Sequence, residues 1–160
     1  MSTSLTRALI ALGAVLVLAA VNLSIYGKER TIANGKTIFL QLAPVDPRSL
    51  MQGDYMALRF ELAEDIEDAR RSGKIAANVR SAPIRIDERG VAQLDTDGSG
   101  GSAIAFRIRN GDVWLGTNAY FFEEGLAHRF EGARFGEFRL DGASGEAVLV
   151  GLRDGELLKL

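Results

Sequence analysis

The sequence predicts a mainly β domain, a curled antiparallel sheet or small barrel with two short helices, preceded by one N-terminal transmembrane helix. Three observations predict it. An uncharged apolar run fills residues 8–25. Short segments after residue 37 alternate apolar and polar residues, the period of a half-buried strand. Turn residues (Gly, Asp, Asn, Pro) punctuate those segments about every eight to twelve positions, the spacing of an all-β domain.

The run from Ala8 to Ile25 is broken only by Gly13, Asn22 and Ser24. At about 1.5 Å per residue it approaches the roughly 30 Å hydrocarbon thickness of a bilayer. Tyr26 follows where an interfacial aromatic is favoured, and Arg7, Lys28 and Arg30 flank the run. A cleaved signal peptide, with Val17 and Ala19 before the cut, is one alternative, but the apolar run continues past them. A buried soluble helix is another, but such a helix rarely lacks a polar face. An uncleaved signal anchor is therefore expected. Long domains translocate largely regardless of flanking charge, so the C-terminal domain is placed outside the cytoplasm. The division is 1–27 for a cytoplasmic stub and anchor, 28–36 for a polar tether, and 37–160 for one domain, an ordinary length for a chain with its own core.

The domain elements follow in order. Thr37–Ala43 reads as a strand, and Asp46-Pro47-Arg48-Ser49 as a turn, with Pro setting φ and Asp accepting local N–H groups. Gly53-Asp54 is a second turn. In Tyr55–Glu61, Met56, Leu58 and Phe60 fall on one face, and Tyr55, Ala57 and Arg59 on the other; the first set is expected inside. Leu62, Ile66 and Ala69 line one side of a short helix ending at Gly73. Pro83–Asp87 and Val91–Asp95 form a hairpin around Glu88-Arg89-Gly90. Ala103–Arg109 and Val113–Gly116 form another around Asn110-Gly111. Phe122, Leu126 and Phe130 recur every four residues, as on a second short helix. Phe135–Asp141 and Glu146–Leu152 make the last hairpin.

Composition narrows the chemistry. With 19 basic and 21 acidic residues and a net charge of -2, there is no electrostatic case for nucleic acid. Cysteine is absent, which excludes disulfides, thiolate metal sites and a Cys nucleophile. The single histidine, His128, would have to carry any His-based chemistry alone. No cofactor or metal site is expected. Adjacent Glu123 and Glu124 read as acids at a helix start, where the dipole favours them; the alternative takes them with Glu137 as acid–base or cation-binding groups, but their spacing matches no cation-binding loop.

The segment Gly53-Asp54-Tyr55-Met56-Ala57-Leu58-Arg59-Phe60, with Asp46-Pro47-Arg48 before it, resembles the signature of the GDYXXLXY family of bacterial membrane-anchored proteins. So do Tyr120–Gly125, Ala133–Glu137 and Ala147–Leu152. Phe60 stands where the pattern has Tyr, a loss of one hydroxyl. The resemblance implies a bitopic protein of the bacterial cytoplasmic membrane with a multi-pass membrane partner, and it supplies no catalytic residue. A polar cluster or interface is expected from Asp46, Arg48, Asp54, Tyr55, Glu123, Glu124, Arg134 and Glu137. Arg48 or Arg134 would pair with Glu124, Glu137 or Asp54, since charges beside aromatic runs need partners once desolvated. The expected function is a membrane-anchored accessory or interaction domain. The alternatives are a small-ligand module and a Ser–Lys hydrolase, since the Pro-loop and Gly-Asp strand are also similar to type I signal peptidases. There the serine precedes the Gly by eight residues, a position held here by Val45, so the hydrolase would depend on Ser49 and Lys74.

Overall fold

A computed structural model describes residues 3–43, 51–52 and 55–160 of the chain. It opens with one long helix, α1 (Thr3–Asn34). Its large side chains from Leu9 to Tyr26 are exposed, and it is long and apolar enough to cross a membrane. Asn22 donates its side-chain amide to the Leu18 carbonyl at 2.8 Å, and the Thr31 hydroxyl donates to Gly27 at 3.1 Å. Such back-bonding satisfies polar side chains without water.

The helix runs through most of the stretch read as a tether. Lys28, Glu29 and Arg30 are polar, but nothing there breaks a helix, and extending a formed helix avoids the cost of nucleation. It stops at Gly35, whose N–H donates to the Thr31 carbonyl at 2.8 Å. Strand β1 (Lys36–Gln41) begins at the next residue. Thr31 is buried, and Lys28 is ion-paired with Glu146. The last turns of α1 therefore rest on the domain.

The domain is antiparallel throughout its named strands. The remaining strands are β2 (Met51–Gln52), β3 (Tyr55–Ala57), β4 (Ser81–Ile86), β5 (Ala92–Leu94), β6 (Ser102–Ala105), β7 (Arg107–Arg109), β8 (Asp112–Trp114), β9 (Ala119–Phe121), β10 (Phe135–Leu140) and β11 (Ala147–Arg153). Among the described residues they make three three-stranded sheets, ordered β1-β10-β11, β2-β3-β9 and β5-β4-β6, and a β7-β8 hairpin. They do not close into a barrel. Strand β1 joins the sheets: Phe39 donates its N–H to Gly90 at 2.9 Å, and Leu42 and Phe60 form an isolated bridge.

Met56, Leu58 and Phe60 are buried while Tyr55 is half-buried and Ala57 and Arg59 exposed, the register that the alternation predicts. Helix α2 (Glu61–Arg71) buries Leu62, Ala63, Ile66 and Ala69. Acids in its first turn and arginines in its last complement the helix dipole. The core joins these residues to Ile38, Leu40, Ile84, Ile104, Leu115, Phe138 and Leu152. Phe60 meets Phe138 edge-on at 5.3 Å, so the missing tyrosine hydroxyl lies at a position that is 2 % exposed, where it would need a buried partner.

Two expected elements differ. Residues 103–109 are not one strand. Ala103–Ala105 pair with β4, Phe106 donates its N–H to Arg80 at 2.9 Å, and β7 starts afresh at Arg107. Burial of Phe106 turns the chain from one sheet to the other. The second short helix is a single 3-10 turn, Ala127–Phe130. Gly125, at φ +82°, reverses the chain before it. Phe122 still stacks on Phe130 at 5.2 Å, so the four-residue spacing reflects a packed loop rather than a longer helix.

Candidate functional site

Asp46, Arg48, Ser49, Gly53 and Asp54 lie outside the described residues. Tyr55 is the member of the signature's polar end that can be located. In the β3–β9 ladder it lies opposite Phe121, and the two rings stand 5.7 Å apart. Phe121 is 74 % exposed, although its neighbour Tyr120 packs on Phe130. The signature segment and the Tyr120–Gly125 segment therefore meet, and they do so through aromatic rings on adjacent strands. Glu123 and Glu124 follow in an exposed turn. They do not start a helix; the one-turn element begins after Gly125.

Glu137 belongs to a different arrangement. It is buried on β10 next to a register shift between Glu137 and Phe138. Arg153 Nε donates to its Oε2 at 2.8 Å, and Arg153 Nη2 donates to the same oxygen. Arg139 Nη2 stands 3.9 Å from Oε1. Arg134, expected as an ion-pair partner, is exposed; its Nη1 donates to the Ala133 carbonyl at 2.9 Å. Its backbone matters more: Arg134 accepts the Leu42 N–H at 2.8 Å and donates to the Arg153 carbonyl at 2.8 Å, tying β1 and β11 together below β10. Arg153, the partner of Glu137, lies one residue beyond the strand that the sequence predicts, Glu146–Leu152.

A second cluster sits at the base of α1. A cleft of about 370 Å³ is lined by Lys28, Arg80, Arg107, Trp114 and Glu146 among others. Arg107 is paired across the β7–β8 ladder with Trp114, and the Arg109 guanidinium lies 4.7 Å above the Trp114 ring. The hairpin turn that sets this register is Asn110-Gly111, both at positive φ, as a two-residue primed turn requires. The turn is legible in the sequence and the cluster is not, because its members come from four separate segments.

Among the described residues, two carboxylates are held below the ordinary aspartate value. The Gly100 N–H is the main cause at Asp95, at 2.8 Å; burial opposes it, and the N–H groups of Asp97, Ser99 and Gly98 add to it. At Asp141 the cause is first the Ser144 N–H at 2.7 Å and then the Ser144 hydroxyl, against the effect of burial, with smaller help from the Ala143 N–H and the Arg30 charge. Both carboxylates organise turns. Lys74 and His128 are exposed, and His128 Nδ1 lies 3.1 Å from the Gly125 carbonyl. No group of three or more metal-ligating side chains stands together among the described residues.

The fold and these clusters define a small, mainly β domain carried on an N-terminal apolar helix. The chain belongs to the GDYXXLXY family, whose model matches residues 17–152. That match takes in the second half of α1, its junction with β1 and nearly all of the domain. No curated protein and no solved structure matches the chain.

Proposed function

We propose that the protein is a membrane-anchored interaction domain, held outside the cytoplasm by an uncleaved α1 and working beside a multi-pass membrane protein. The observation that carries this reading is the junction at Gly35. An apolar helix long enough for a bilayer passes into the first strand of the domain through one residue, with Thr31 buried and Lys28 ion-paired at the contact. A free receptor domain needs only a loose tether. A short, packed junction instead holds the domain at one height and one angle, the arrangement that suits lateral contact with a neighbour in the same membrane. The Tyr55–Phe121 pair supports the same reading, because an exposed aromatic on a strand is the kind of group that anchors protein interfaces. The Ser–Lys alternative asks for a desolvated base, and Lys74 is exposed.

The test is photo-crosslinking in native membranes with a photoreactive amino acid in place of Phe121, and with the same group at Arg85 as a control on another sheet. A discrete membrane-protein adduct from position 121, absent from position 85, supports the reading. Adducts of equal intensity from both positions, or none from position 121, would sink it. A C-terminal reporter active only in the cytoplasm would overturn the orientation.

A further inference from the structure

The cleft at the base of α1 has a location that follows from the helix. If α1 spans the bilayer as proposed above, the stretch from Leu9 to Tyr26 rises about 27 Å at about 1.5 Å per residue, close to the hydrocarbon thickness. Lys28 is then the first charged residue beyond the hydrocarbon, at headgroup height. Lys28 also lines the cleft, and its ion pair with Glu146 fixes the start of β11 at the same level. The cleft thus lies beside the helix where it leaves the hydrocarbon.

Its chemistry suits that location. Three cations line it, Lys28, Arg80 and Arg107, against one carboxylate, Glu146, which Lys28 already engages. Arg80 uses Nη1 on the Ala77 and Val79 carbonyls, which orients its guanidinium without neutralising it. Arg107 is exposed and has no hydrogen bond or ion pair from its side chain among the described residues. Across the ladder from it stands Trp114, half-buried, with Arg109 over its ring. Asp112, opposite Arg109, is the hairpin's own carboxylate and does not line this cleft. An indole favours the boundary between hydrocarbon and headgroups, and arginine binds phosphate through two parallel N–H groups.

We propose that this cleft seats the domain on the bilayer by taking the phosphate of an anionic phospholipid between Lys28, Arg80 and Arg107, with the Trp114 indole in the interface. The seat and the Gly35 junction then act together. The helix sets the height of the domain, and the lipid contact sets which side of it faces the membrane.

Trp114 is the chain's only tryptophan, so in discs bounded by a tryptophan-free scaffold its emission reports on this site alone. The full chain is reconstituted in nanodiscs of phosphatidylcholine alone, or of phosphatidylcholine with a third phosphatidylglycerol. Emission and quenching by acrylamide, an uncharged quencher that an anionic surface does not repel, are then read. The expected result is a blue shift and at least a halving of acrylamide quenching in the anionic discs. Raised salt should cancel both, because it screens contacts near a charged surface. Arg107→Gln, an exposed position, should return both readings to their values in neutral discs without changing the melting temperature. Should that variant fold poorly, the salt series on the wild-type chain decides the matter. Equal Trp114 readings in the two discs would overturn the proposal. So would the same change produced by inorganic phosphate in neutral discs, which would assign the site to a free anion. Elution with the discs tests the spanning reading separately: a chain that leaves the discs refutes the anchor, and one that stays without a phosphatidylglycerol effect refutes only the lipid seat.

Discussion

Replacing Arg153 with leucine would leave the Glu137 carboxylate 11 % exposed at its side chain, with two of its hydrogen bonds gone. Removing one partner of a buried ion pair costs about 3–5 kcal/mol, because the remaining charge is desolvated without compensation. Here the cost is reduced, since Arg139 Nη2 stands 3.9 Å from the other carboxylate oxygen and can turn toward it. We expect a loss of about 2–3 kcal/mol for Arg153→Leu, by the same balance of desolvation against residual pairing. For a domain of this size that is a fall of roughly 8–12 °C in Tm. Glu137→Leu should cost less, about 1–2 kcal/mol, because Arg153 is 21 % exposed and its long stem can carry the charge to water. The double variant, with leucine at both positions, should lie within about 1 kcal/mol of the wild type, as apolar replacement of buried pairs often does. The assay is thermal unfolding of the full chain in detergent, followed by far-UV circular dichroism and by Trp114 emission. Additive single-variant losses in the double variant, or an Arg153→Leu protein as stable as the wild type, would refute the claim that Glu137 and Arg153 are coupled as a desolvated pair.

Gly136→Ala should destabilise the domain by about 1–3 kcal/mol, because the added methyl carbon would stand 2.9 Å from both the Phe60 and Phe138 rings; a Tm equal to wild type would mean that those rings move freely. Gly35→Ala would place its Cβ 2.4 Å from the Thr31 carbonyl oxygen and force the α1 junction open. The chain has no native cysteine, so spin labels at Leu23→Cys and Ala143→Cys should give one narrow distance that broadens in the Gly35→Ala background; equal widths would refute a rigid junction. Asp95 has a folded pKa below the unfolded value, so its carboxylate stabilises the fold above the unfolded pKa, and that stability is lost as pH falls through the folded one. Asp95→Asn should therefore lower Tm at neutral pH and narrow its gap to wild type in acid, and parallel Tm curves for the two proteins would contradict this.

Much of the molecule was legible where the controlling residues lie close together in the chain. The uncharged run at residues 8–25 is a helix because it is rich in Ala and Leu, which favour that state, and holds no proline; Gly13 is its weakest helix former. Met56, Leu58 and Phe60 are buried because a two-residue period admits one register with that face inside. Gly90 and Asn110-Gly111 mark hairpins because few other residues accept positive φ. The motif around Tyr55, together with the C-terminal segments, was enough to indicate the family. What the sequence left open depends on partners far away in the chain. The polar stretch at 28–34 is helical because it continues α1 and rests on the domain through Thr31 and Glu146. Strand β1 pairs with β10 about a hundred residues later, a closure that no local period encodes. Glu137 chose Arg153 over Arg134 because the register shift and the end of β11, rather than proximity in sequence, decide which guanidinium reaches a buried carboxylate. The cluster of Lys28, Arg80, Arg107 and Trp114 exists only once the helix, the residue that enters β4 and the β7–β8 hairpin are packed together. Each of its members, taken alone in the sequence, is an ordinary surface residue, and only tertiary contact gives them a common environment.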